Sequence, residues 1–250
     1  MSTMAIGWIV FAIVFGGALI GALVRRFLPG EHLSSDSREV VKLGMGLIGT
    51  MAALVLSLLL SSAKASYDTK SSEVEQWSAD VMLLDRTLAH YGPEAMESRK
   101  LFRGTVARMI AQVWPPAGAG ATPPIPVGGL DGFYQEIQAL TPKSAAQSSL
   151  QAQALATASH LAQTRWLMEA QSGQSIPMPF LVVMVFWLSV IFASFGLYAK
   201  PNATIFVALL VGALSISSAI FLILELEKPF IGLIRISSAP MQVALEQLGR

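Results

Sequence analysis

The chain has 250 residues, of which 53% are hydrophobic and only 13% charged, and its mean hydropathy is +0.57. Soluble domains carry about 25% charged residues, so this composition excludes an ordinary soluble protein and makes the lipid bilayer the first partner. The 17 basic and 16 acidic residues leave no cationic surface for nucleic acid, and the lack of cysteine removes disulfides, thiolate metal sites and cysteine nucleophiles together.

The first apolar run, 4–24, holds no charge and is closed by Arg25 and Arg26. At about 1.5 Å per residue it is long enough for a hydrocarbon core of about 30 Å. No basic residue precedes it, and it exceeds the roughly 7 to 15 apolar residues of a signal core, so it reads as a retained spanning helix. Gly17 and Gly21 form a GxxxG pair, which permits close approach of another helix.

The second run lies between Lys42 and Lys64. Gly49, Ala53, Ser57 and Ser61 recur every fourth residue and share one helix face, with Thr50 beside them. Such a face packs inside the subunit, lines a pore or meets another subunit, and Thr50, Ser57 and Ser61 are the candidate lining residues.

From 65 to 177 the composition turns polar. Val74, Trp77, Val81, Leu84, Leu88 and Tyr91 alternate in steps of three and four, so they form one apolar stripe on a helix continuing from the second span. Gly92 and Pro93 end or bend it, and a second helix follows with Met96, Leu101, Val106, Met109 and Val113 as its apolar members. The Pro-, Gly- and Ala-rich stretch 115–132 reads as a loop, followed by helices over 133–140 and 144–171. Four antiparallel helices are expected in this region. The third and fourth apolar runs, 180–199 and 203–224, are separated by Lys200, Pro201 and Asn202 and are expected to form a tight antiparallel hairpin.

Beyond the last span, Pro229 and Pro240 interrupt helix while Phe230, Leu233, Ile234 and Ile236 stay apolar, which predicts a cap docked against the bundle or the bilayer interface rather than a loose tail. Arg235 lies among them and is expected to pair with Glu225, Glu227 or Asp85. A terminal amphipathic helix is expected over 241–249.

No Walker loop, GxSxG elbow, HExxH or dinucleotide glycine turn is present, so neither enzyme chemistry nor a cofactor is expected. His32, His90 and His160 share no metal-ligand spacing, and no metal is expected. Asp85, Arg86, Glu225 and Glu227 are the charged residues of first interest, with solvated or salt-bridged helix surface as their plainest role. The span interiors lack ionisable residues, which disfavours a proton-coupled pump but not a passive pore.

Three motifs carry a resemblance. They are Met51-Ala52-Ala53-Leu54-Val55-Leu56 leading into Ser62-Ala63-Lys64-Ala65-Ser66-Tyr67-Asp68, then Leu84-Asp85-Arg86-Thr87-Leu88-Ala89-His90-Tyr91-Gly92-Pro93-Glu94, and Glu225-Leu226-Glu227-Lys228-Pro229-Phe230-Ile231-Gly232 with Ser237-Ser238-Ala239-Pro240. Together they resemble the bestrophin-like bacterial membrane proteins. The resemblance implies four spans with a large helical insert between the second and third, and kinship with the bestrophins, which are pentameric anion channels with cytoplasmic termini. Two departures stand out. Phe230 is followed by Ile231, Gly232, Leu233 and Ile234 where bestrophins carry an acidic calcium-binding run, and the second span contains no Phe to form an aromatic neck.

The expected fold is therefore all-α, with spans one and two over 1–64, a helical soluble insert over 65–177, a transmembrane hairpin over 178–225 and a cap over 226–250. The expected function is a homo-oligomeric ion channel with an inorganic anion as the candidate permeant. The alternative is a membrane-anchored interaction or stress-response protein without transport. Arg25, Arg26, Arg38 and Lys42 would place the first loop in the cytoplasm by the positive-inside rule, whereas the resemblance places the termini and insert there. Lys64, Lys70, Lys228 and Arg235 nearly cancel the bias, so the expectation follows the resemblance, in a bacterial inner membrane.

Overall fold

Ser2 starts the first helix by accepting a hydrogen bond from the Ala5 amide at 3.2 Å, and the uninterrupted apolar run carries the helix on to Val24. The computed structural model describes residues 2–29, 35–115, 128–171, 178–199 and 202–249. Its elements are α1 (Thr3–Val24), α2 (Ser35–Tyr91), a 3₁₀ turn (Pro93–Ala95), α3 (Met96–Val113), α4 (Gly128–Gln138), α5 (Ala145–Gln171), α6 (Met178–Tyr198), α7 (Ala203–Leu226) and α8 (Ala239–Gln247). No strand occurs among the described residues. Four helices, α1, α2, α6 and α7, are long and apolar enough to cross a membrane. The fold class read from the sequence is the one observed, and α2 does run on from the second span through the apolar stripe.

Two compact units form, and α2 belongs to both. The first comprises Met1–Tyr67 and Ser175–Lys228. Its core joins Val10, Val14 and Ala18 of α1, Ala52 of α2, Met184, Leu188 and Phe192 of α6, and Ala213 and Ile220 of α7. The GxxxG pair is what brings α1 onto α6. A methyl group on Gly21 would overlap the Ala193 carbonyl, one on Gly196 would overlap that of Ala18, and one on Gly17 would lie 2.8 Å from the Ser189 carbonyl oxygen. These pairings run α1 and α6 parallel. The Gly7–Phe221 and Phe15–Phe206 contacts run α1 and α7 antiparallel. Both later spans thus pack on α1. Lys200 and Pro201, expected in the tight turn, lie outside the described residues.

The second unit comprises Asp68–Gln174 and Pro229–Arg250. All six members of the apolar stripe on α2, from Val74 to Tyr91, are buried. Also buried in this unit are Phe102, Val106 and Met109 of α3, Phe133 and Ile137 of α4, and Ala154, Ala158 and Leu161 of α5. Of the apolar members of α3, Val106 and Met109 are buried together with Phe102, while Met96 and Leu101 are exposed. The helix α4 begins at Gly128, five residues before the expected start. Residues 116–127 of the expected loop lie outside the described residues. Gly92 has a φ of 125°, a left-handed conformation that excludes ordinary side chains and allows the chain to reverse after α2.

Candidate functional site

The spanning part of α2 is the least buried of the four spans, with 6% of it covered by the chain against 22%, 33% and 22% for α1, α6 and α7. One side touches α6: Ala52 is buried, and Val55, Leu56 and Leu59 are partly buried on the same core. Thr50, Ala53, Ser57 and Ser61 lie on the opposite side and are exposed, with Lys64 following one turn further on the same face. Gly49 sits between the two sides, half-buried, and a methyl group there would meet Ile191 Cδ1 at 4.0 Å. Of the roles open to this face, packing inside the subunit does not apply to its exposed members. The Thr50 hydroxyl donates to the Leu47 carbonyl at 2.7 Å, which satisfies it within its own helix. The Lys64 ammonium lies 5.7 Å from the Tyr67 ring centroid.

The charged residues singled out by sequence divide between the two units. In the first, Glu225 is 1% exposed at the end of α7, and its Oε2 accepts a hydrogen bond from Thr3 Oγ1 at 2.6 Å. A solvated surface role for Glu225 is therefore corrected: the antiparallel pairing of α1 with α7 covers it and supplies a donor. Glu227 is half-buried.

In the second unit Asp85 is 2% exposed. Arg99 holds it in a fork, Nε to Oδ1 and Nη2 to Oδ2, each at 2.8 Å, and the Gly249 amide donates to Oδ2 at 3.3 Å. The hydrogen bond to Asp85 raises the Arg99 pKa further, against the opposing effect of burial. Asp85 is thus a buried ion-pair partner rather than solvated surface, while its neighbour Arg86 is exposed. Asp85 and Arg99 lie equally far from Gly92, so chain reversal there brings them opposite each other, a spacing that could have identified the pair.

The cap segment is anchored through Trp114. The Trp114 ring packs edge-on against Phe230 with centroids 5.7 Å apart, and its Nε1 donates to the Ile236 carbonyl at 2.8 Å. Pro229 and Ile236 are buried, and the Ile236 amide closes the turn onto the Pro229 carbonyl at 2.8 Å. Leu233 is 67% exposed, so of the two docking surfaces expected for it the chain itself does not supply one. Arg235 does not reach Asp85, the expected carboxylate in its own unit, whose oxygens are held by Arg99 and the Gly249 amide, and Arg235 keeps a different setting. It is exposed, so no buried charge demands an acid, and its Nε donates to the Gly232 carbonyl at 2.7 Å.

His160 Nδ1 lies 2.9 Å from Asp80 Oδ2, and among the described residues no group of three His, Asp or Glu side chains could hold a metal ion. Glu94 and Lys143 form an exposed pair at 2.9 Å that lowers the carboxyl pKa and raises that of the ammonium, in each case chiefly through their mutual hydrogen bond.

Four spanning helices, a second one that runs on into a polar helical unit, and an uncovered polar face on that helix define an all-α multi-pass membrane protein. The Bestrophin-like domain model matches residues 11–241, and the chain belongs to the Bestrophin-like family. Membership places it in a family of membrane ion channels. The crystal structure of a mutated bacterial bestrophin homologue from Klebsiella pneumoniae superposes with a TM-score of 0.60, covering 96% of each chain at 15% sequence identity, a likeness of fold. No curated protein matches the sequence.

Proposed function

We propose that the chain forms a homo-oligomeric channel for inorganic anions in a bacterial inner membrane, with the α2 helices of several copies around a common axis. The observation that carries this reading is the exposed face of Thr50, Ala53, Ser57 and Ser61, opposite the side of α2 that packs on α6. Around a common axis this small, hydroxyl-bearing face would border water and neighbouring copies rather than lipid. Lys64 on the same face would form a ring of cations at one end of the pore, which favours anions over cations. The termini and the polar helical unit are assigned to the cytoplasm, and the cap segment from Glu225 to Arg235 is assigned a structural role.

The absence of native cysteine makes a direct test possible. Ser57→Cys should cross-link into a ladder of subunits with a short bifunctional thiol reagent, whereas Phe186→Cys, on an exposed part of α6, should not. Equal cross-linking of both, or of neither, contradicts an axial α2. Labelling at Ser35→Cys from the outside, and at Ser148→Cys only after lysis, is the expected pattern for the assigned orientation; the opposite pattern reverses it.

A further inference from the structure

Four basic residues at one end of the spanning unit remain unused by the channel reading. Arg25 and Arg26 close α1, and Arg38 and Lys42 lie near the start of α2. The positive-inside rule makes them unexpected if this end faces away from the cytoplasm.

Their surroundings are apolar cavities. One, of about 650 Å³, is walled by Phe15, Leu23, Phe206 and Leu209 and ends at Arg25 and Arg26. It falls within the range of roughly 300 to 1,000 Å³ typical of small-ligand sites. A second, of about 360 Å³, lies against Phe195 and Ala208 and ends at Arg38 and Lys42. The two share Ala199, Ile205 and Leu209, and no carboxylate lines either one among the described residues. Arg25 Nη1 donates to the Ala199 carbonyl, which holds the guanidinium at the cavity edge.

We propose that this end of the bundle binds an anionic phospholipid, with its phosphate on Arg25 and Arg26, an acyl chain in the larger cavity, and Arg38 and Lys42 drawing charge to the smaller one. The pairing of an apolar chamber with guanidinium groups at the membrane border matches an amphiphile with a phosphate head, since arginine forks fit phosphate oxygens and neighbouring helices shield the chain. A free anion would gain nothing from the apolar walls. The basic cluster then serves lipid binding, which reconciles its charge with the assigned orientation. Neither step requires that the protein conduct ions.

Native mass spectrometry of the full chain in neutral detergent, titrated with phosphatidylglycerol or with phosphatidylcholine of the same acyl chains, tests this. Phosphatidylglycerol, with a net negative charge, should bind about thirtyfold more tightly than zwitterionic phosphatidylcholine, the size expected for two arginines acting on one uncompensated charge. Arg25→Gln combined with Arg26→Gln should bring it to the phosphatidylcholine level. Ala203→Phe, which fills the larger cavity with both arginines intact, should weaken it as well and serves alone if the double variant does not fold. Inorganic phosphate at equal concentration should not displace the lipid. Equal binding of the two lipids, displacement by phosphate, or variants that change subunit number while lipid binding persists would each overturn the proposal, the last by assigning the cavity to a second copy of the chain.

Discussion

Asp85 shows how far one side chain can fix a unit. Its carboxylate is almost fully enclosed, and the Arg99 fork together with the Gly249 amide ties α2, α3 and the C-terminal residues to a single point. Removing one member of a buried pair typically costs about 3–5 kcal/mol, because the remaining charge stays enclosed. Arg99→Ala should therefore lower the melting temperature of the detergent-purified protein by several degrees. Lys100→Ala, which breaks only the exposed pair with Glu97, should leave it unchanged. Equal effects would show that the buried pair carries no special weight. The pH dependence on the Arg99 side follows from its raised pKa: the contribution of the Arg99 charge is present below the ordinary arginine value and is lost as pH rises through the raised one. Glu94 behaves oppositely, since its lowered pKa gives a contribution present above the ordinary carboxylate value and lost as pH falls through the lowered one. Being exposed, that pair should add no measurable slope to a melting series at acid pH, and Lys143→Ala should superpose on the parent protein there.

Among the helices, the α1–α6 crossing is the most constrained. Gly21→Ala must push α1 off the Ala193 carbonyl, whereas Gly16→Ala meets nothing within 4 Å. Overpacking of this kind costs about 1–3 kcal/mol, so Gly21→Ala should reduce thermal stability and Gly16→Ala should not. A thermal-shift series that ranks them the other way would displace α1 from this position. The helices themselves were legible because long apolar runs and a three-four stripe are local signals. The stripe from Val74 to Tyr91 is buried in full, and the glycine pair in α1 packs as its spacing implied. Boundaries and partners were less legible. Phe102 was overlooked because Met96 and Leu101 are equally apolar, and only the tertiary partner selects the face. The Thr3–Glu225 hydrogen bond joins residues 222 apart, and no local pattern encodes such a pairing. Arg235 misled because its neighbours are apolar, although Ile231 and Leu233 are themselves exposed.

For the whole molecule, the uncovered α2 face links fold to function. A leucine at Ser57 points away from α6, so the subunit should still fold; the added bulk should instead narrow the proposed axis or disturb its assembly. Planar-bilayer recording of the purified protein under a potassium chloride gradient measures the consequence directly. The expected result is a discrete conductance with a reversal potential near that of chloride, reduced or abolished by Ser57→Leu in protein that remains folded. A protein that is folded and oligomeric yet gives no conductance, or a conductance indifferent to Ser57→Leu, would contradict a pore lined by α2.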